Sequence, residues 1–488
     1  MRTQHRTSTP APDHGTTTEA PTGTTPRPHR ARHTLTSVTL VLLAVLTTSP
    51  AAAAPAPAPG GNTSFTYPSA ERLTTLRPGE LLASEPLDTT RTLRDASTRR
   101  LRIMYGSQGP HDQPVAVTGF LLTPRGTAPR TGWPVVAWAH GTAGVGPDCA
   151  PSLHPNLYPS DYQVYEDLIA RLLHDGYAVV GTDYPGLGIP GQLHSYLQID
   201  PERHAVIDSV TAARHSAPEL GRQWFAMGHS QGGQAALGAG EAATDRLPAL
   251  NYLGTIALAP GSNAAEGADI LSLPQFRVPF PGWSDAAAYL LYQAVSASRL
   301  DPQHISPTDL LSPQLARHLP EAERMCLDQL STRLARTTDI RTLVDPDWSR
   351  NHALQRFYAD GEPAQRRSSG PILLLQGTKD LSVTPAATNR LDYELCELGD
   401  GVQYRLYPGA DHDTLPLRAY PDIARWMSDR LAGRQAPDTC PPQPTTAART
   451  LAATGTPPAL PWITALGITG LTLGITLVAL TRRRGTHR

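Results

Sequence analysis

Six short apolar runs between residues 133 and 408 leave few folds open: WPVVAWAH (133–140), YAVVGTD (177–183), QWFAMGH (223–229), YLGTIALAP (252–260), PILLLQG (371–377) and VQYRLYP (402–408). Most are continuously hydrophobic rather than alternating, as in strands covered on both faces. Between them, 161–176 and 201–217 carry apolar residues at helical spacing, and Pro201 suits a first helical turn. Strand and helix in repetition predict an α/β fold with a mostly parallel, doubly wound sheet. Two earlier runs, RLRIMYGS and PVAVTGFLLTP, alternate more and predict an antiparallel edge. From about 261 to 369 the rhythm stops. That stretch is rich in Pro, Ala and Leu and too long for a simple connection, so it predicts an inserted helical cap.

The third run leads into AMGHSQGGQAA (226–236), where Ser230 stands between Gly228 and Gly232. A strand before the serine and a helix after it predict a tight turn that exposes the hydroxyl, and the helix N-terminus favours developing negative charge. A serine at its ordinary pKa is a weak nucleophile and needs a base, which in turn needs an orienting acid. Asp380 follows the fifth run in QGTKDLSVTP, and His412 follows the sixth in PGADHDTLP. Each therefore falls on a loop after a later strand, in the order Ser, Asp, His. Asp380 could instead cap a helix starting near Thr384. Asp411 and Asp413 read as turn residues, and His140 and His229 as packing or loop-fixing groups. An oxyanion formed on a carbonyl would need donors. The backbone N–H of Gln231 supplies one, and HGTAG (140–144), just past the first run, supplies the other, assigned to Thr142. No HExxH, CxxC or phosphate-cradling loop is present, so neither metal nor cofactor is predicted. A formal net charge of -1 without a basic stripe argues against a nucleic-acid partner.

Both ends read as addresses. Arg30, Arg32 and His33 precede SVTLVLLAVL and then SPAAAAPAPAPG, so 1–54 predict a secretory signal with a long n-region, followed by a linker over 55–62 and a folded body over 63–440. Export makes disulfides expected for Cys149, Cys326, Cys396 and Cys440, with three connectivities open and four buried thiols as the alternative. A Pro- and Thr-rich linker (441–458) contains LAATG at 451–455. An apolar stretch long enough to cross a bilayer (459–480) and a basic tail (481–488) follow. Pentapeptide, span and tail together resemble a sortase cell-wall sorting signal. That resemblance implies cleavage between Thr454 and Gly455, with sortase, membrane and wall as successive partners; an ordinary single-pass anchor is the alternative.

HGTAGVGPDCAPSLHP, TDYPGLG, GHSQGGQAA, QGTKDLSVTP and PGADHDTLP, in this order, resemble the secretory lipase family of fungal lipase A-like hydrolases. The resemblance covers most of 65–440. It implies an α/β-hydrolase fold with a helical cap, and hydrolysis of triacylglycerols or simpler esters through an acyl-enzyme on a Ser230, Asp380 and His412 triad. It also implies the pairings Cys149 with Cys326 and Cys396 with Cys440. The chain departs from fungal members after Cys440, passing into a linker where they carry a flap. An envelope-lipid acyltransferase, a peptidase or a non-catalytic surface binding protein would share the fold.

Overall fold

The computed structural model describes residues 65–442. Residues 1–64 and 443–488 lie outside the described residues, and with them the signal segment, the sorting motif with Thr454 and Gly455, and the apolar stretch at 459–480. Among the described residues no helix is long and apolar enough to cross a membrane.

One sheet organises the fold. Its strands are β1 (Leu81–Pro86), β2 (Ser97–Gln108), β3 (Pro114–Pro124), β4 (Trp133–Ala139), β5 (Ala178–Thr182), β6 (Leu220–His229), β7 (Asn251–Leu258), β8 (Ile372–Gly377) and β9 (Val402–Tyr407). They lie in the order β1-β2-β3-β5-β4-β6-β7-β8-β9. The first three strands are antiparallel, and β3 also meets β5 antiparallel. From β5 to β9 every pairing is parallel. All six apolar runs form strands, and the two alternating runs form the antiparallel edge. The extra strand β1 is short, half-exposed and ends in a proline, which suits an edge but gives little sequence signal.

Helices α1 (Val164–His174), α2 (Ile199–Ser216) and α3 (Gln231–Arg246) follow β4, β5 and β6. Alternate residues of β8 show how both faces are covered. Ile372 and Leu374 pack with Leu237, Leu391 and Leu395, whereas Leu373 and Leu375 join Ile423, Trp426 and Met427 in the main core.

Between β7 and β8 the chain forms a helical insert that includes α4 (Ala264–Ser272), α5 (Trp283–Leu300), α6 (Leu327–Ala335) and α7 (His352–Gly361). It has its own core, built around Leu291, Tyr292, Leu330, Leu334, Trp348 and Leu354. Two β-bridge residues, Leu311 and Val344, pair inside it. After β8 come α8 (Pro385–Glu397) and, beyond β9, α9 (Leu415–Leu431).

Two disulfides are formed. Cys396–Cys440 holds the tail to α8. Cys149–Cys326 joins the loop after β4 to the start of α6 in the cap. There Leu327 N–H also donates to the Ala143 carbonyl, at 2.9 Å.

Candidate active site

Strands β4, β6, β8 and β9 all end at the same edge of the parallel region, where open α/β sheets collect their functional loops. At the end of β6 the chain turns on Ser230, with φ 59° and ψ -123°, a conformation costly for any residue with a Cβ. Its neighbours hold it there. Ser230 N–H donates to the Leu258 carbonyl at 2.9 Å, while the Ser230 carbonyl accepts from Gly233, Gln234 and Gly261. The flanking glycines are required sterically. A Cβ on Gly228 would fall 2.0 Å from the Gly232 carbonyl oxygen, and one on Gly232 would fall 1.9 Å from that of Ala139. Gly232→Ala is therefore expected to lower stability by about 3 kcal/mol, read as a drop in the denaturant midpoint.

Asp380 lies just past β8 and is 2% exposed. One carboxylate oxygen accepts the backbone N–H groups of Ser382 and Val383, each at 2.9 Å. The other is 2.7 Å from His412 Nδ1. Both oxygens are occupied, so the carboxylate cannot swing. It fixes the His412 proton on Nδ1 and leaves Nε2 as the basic nitrogen. The helix-capping role belongs to Thr384, whose hydroxyl accepts from Ala387 N–H. Asp411 binds the N–H and hydroxyl of Thr414, which hold its carboxyl below the usual range, and it serves the turn. Burial raises the pKa of neighbouring Asp413.

The His412 ring packs 4.3 Å, centroid to centroid, from that of His229, the residue before Ser230. His229 is buried, and its Nδ1 lies 2.7 Å from the Tyr165 hydroxyl. Burial, with His412 alongside, keeps its pKa well below the usual value, so it adds no positive charge beside His412. Tyr165 also lies under Gly141, where an added Cβ would come 2.3 Å from its hydroxyl and 3.5 Å from the Ser230 Cβ. The loop after β4 thus runs beside the serine. Thr142 follows on that loop, with its hydroxyl 2.8 Å from the Tyr196 hydroxyl and its carbonyl accepting from Tyr158. Gln231 opens α3 and is almost fully buried.

The structure gathers Ser230, Asp380, His412, Thr142 and Gln231 at one edge, while the buried His140 ring packs on Tyr184. His140 Nδ1 donates to the Gly141 carbonyl at 2.7 Å, which fixes the loop. The tyrosines supporting the site went unread in the sequence. Tyr158, Tyr162 and Tyr165 stand four and three residues apart just before and at the start of α1, with ring centroids 4.8–5.5 Å apart and Tyr165 edge-on to the other two.

Burial lowers the His140 pKa to about 3, against about 6.5 in an unfolded chain. The unfolded chain therefore takes up this proton first as pH falls. The stabilising contribution is present above pH 6.5 and is lost as pH falls towards about 3. One such histidine costs about 2 kcal/mol between pH 7 and pH 5. Denaturant unfolding at both pH values checks this: His140→Asn is expected to lose about 2 kcal/mol less than the wild type over the interval.

Residues 158–416 match the family model described as serine aminopeptidase, S33. A secreted triacylglycerol lipase of Malassezia globosa is 22% identical over 381 residues, covering 74% of this chain and 78% of that protein. Among solved structures, Candida antarctica lipase A in its closed state superposes with a TM-score of 0.62 at 17% identity, covering 77% of this chain and 87% of that one. The rice cell wall degrading esterase LipA of Xanthomonas oryzae superposes with a TM-score of 0.58 at 20% identity, covering 74% of this chain and all of the other. These likenesses establish the α/β-hydrolase fold with its helical cap. Because the family model spans more than half of the chain, this protein belongs to the serine aminopeptidase S33 family of hydrolases.

Proposed function

We propose that this chain is an exported serine hydrolase that cleaves carboxylic esters of lipids. The observation that carries the reading is the strained serine at the strand end, with the His412 ring packed on the preceding residue, His229, and its Nδ1 held by a buried carboxylate. Ser230 Oγ attacks the ester carbonyl while His412 Nε2 takes its proton. The oxyanion is met by the backbone N–H groups of Gln231 and Thr142. Collapse breaks the ester C–O bond, the alcohol leaves with the proton from His412, and an acyl-enzyme remains. Water then gives a proton to His412 and attacks the acyl carbon, releasing the acid and restoring the serine. Asp380 stabilises the imidazolium in both halves. The secreted lipase and the esterase among its relatives support an ester substrate.

The family description favours one second reading, an aminopeptidase, and a substrate panel separates the two. The protein is offered p-nitrophenyl esters from acetate to palmitate and aminoacyl p-nitroanilides. Ester turnover with the anilides untouched is expected. Faster cleavage of the anilides would overturn the lipid-ester assignment.

Export and wall attachment belong to the same proposal. The two disulfides fit an oxidising compartment, and the LAATG motif supports transfer of Thr454 to the wall after a membrane-held intermediate. Thr454→Ala is expected to move the protein from the wall fraction to the membrane fraction, and unchanged wall attachment would remove sorting from the proposal.

A further inference from the structure

A buried polar group behind the serine has no part in the acyl-transfer steps. The Gln231 side-chain amide nitrogen lies 2.8 Å from Glu202 Oε1 and 2.7 Å from His194 Nε2. His194 Nδ1 faces the Pro185 carbonyl at 3.0 Å, and a carbonyl can only accept, so the ring proton sits on Nδ1. Its Nε2 then accepts one Gln231 N–H, and Glu202 takes the other. Glu202 Oε1 also accepts the Leu197 backbone N–H at 3.0 Å. All three side chains are nearly or wholly inaccessible, and burial raises the pKa of Glu202. Placing an ionisable carboxyl there is costly unless it is well hydrogen-bonded.

The segment that supplies these partners also reaches the opposite side of the site. Within residues 194–197, the His194 N–H donates to the Val145 carbonyl at 2.9 Å, on the loop after β4. The Tyr196 hydroxyl lies 2.8 Å from that of Thr142. Tyr184 stacks on His194 with centroids 5.3 Å apart, and its hydroxyl donates to the His140 carbonyl at 2.9 Å. Four consecutive residues therefore touch Gln231 through Glu202 and His194, and Thr142 through Tyr196. An oxyanion hole works only if its donors are held within about 0.5 Å of their working positions. Gln231 opens a helix and Thr142 lies on a separate loop, so their spacing must be fixed by something that grips both.

We propose that residues 194–197 form a strap that sets the spacing of the two oxyanion donors, with Glu202, His194 and Tyr196 as positioning residues. The inference rests on the serine-hydrolase reading and deepens it. Since the strap acts on the tetrahedral state and not on the substrate as it arrives, its loss should appear in kcat.

The test measures p-nitrophenyl butyrate hydrolysis and inhibition by an alkyl boronic acid, which forms a tetrahedral adduct on a reactive serine. Glu202→Ala and Tyr196→Phe are each expected to lower kcat about 10- to 100-fold. Boronate affinity should fall by a similar factor, with KM changed less than about twofold. Glu202→Gln keeps an acceptor for Gln231 and Leu197 and should restore most of the rate. It also keeps the test decisive if Glu202→Ala does not fold. Because both changes loosen one strap, the double variant should cost about as much as the worse single one.

Multiplying effects in the double variant, or matched changes in KM and kcat without loss of boronate affinity, would overturn the strap. Serine-dependent hydrolysis unaffected by either single change overturns the strap alone, whereas hydrolysis that survives Ser230→Ala overturns the strap and the serine reading together.

Discussion

Replacing Ser230 with alanine is expected to lower kcat for ester hydrolysis by about a million-fold, the scale seen when a serine hydrolase loses its nucleophile. Only catalysis by the oxyanion donors and by substrate placement would remain, because His412 would have no proton to take and no acyl-enzyme could form. The backbone should be undisturbed. Alanine carries the same Cβ as serine, so the turn at φ 59° stays as strained as before, and its backbone partners on Leu258, Gly233, Gln234 and Gly261 remain. Thermal unfolding should coincide with the wild type, which separates lost chemistry from lost structure. Residual activity above about one part in a thousand would place the nucleophile elsewhere.

Asp380→Asn is the more searching change, since it alters one atom and no volume. The carboxylate oxygen that now accepts from Ser382 and Val383 can be matched only by the amide oxygen of asparagine. Its NH2 group must then face His412 Nδ1, where the carboxylate now stands at 2.7 Å. A donor there forces Nδ1 to accept, and the ring proton moves to Nε2, the nitrogen that should receive the serine proton. A fall in kcat of about ten-thousand-fold with KM nearly unchanged is expected. Steady-state kinetics on titrated enzyme checks it, and a loss below tenfold would mean that Asp380 does not set the tautomer.

These residues stood out in the sequence because each follows a strand-like run, continuously apolar before Ser230 and Asp380 and mixed before His412, and a parallel sheet puts such ends at one edge. Ser230, Asp380 and His412 mark the ends of β6, β8 and β9 in that way. The strap could not be read so. Tyr196 is in a loop, Glu202 in the first turn of α2 and Gln231 at the start of α3, and only the folded chain brings them together. In sequence, Glu202 is one of two acids, with Asp200, at a helix start, where a negative charge already suits the helix dipole. The edge strand β1 and the supporting tyrosines were obscure for different reasons. LLASEP is mixed in polarity and ends in a proline, while the tyrosine spacing was present but marks packing as readily as a site.

The seam between the cap and the site loop limits how the protein can admit a substrate. Cys149–Cys326 and the Leu327 to Ala143 hydrogen bond fasten the cap immediately beside Thr142. A cap pinned at that corner cannot lift away as a rigid plate without breaking a covalent bond. These two links hold the start of α6, and with it that corner of the cap, in register with Ala143 and so with Thr142 beside it.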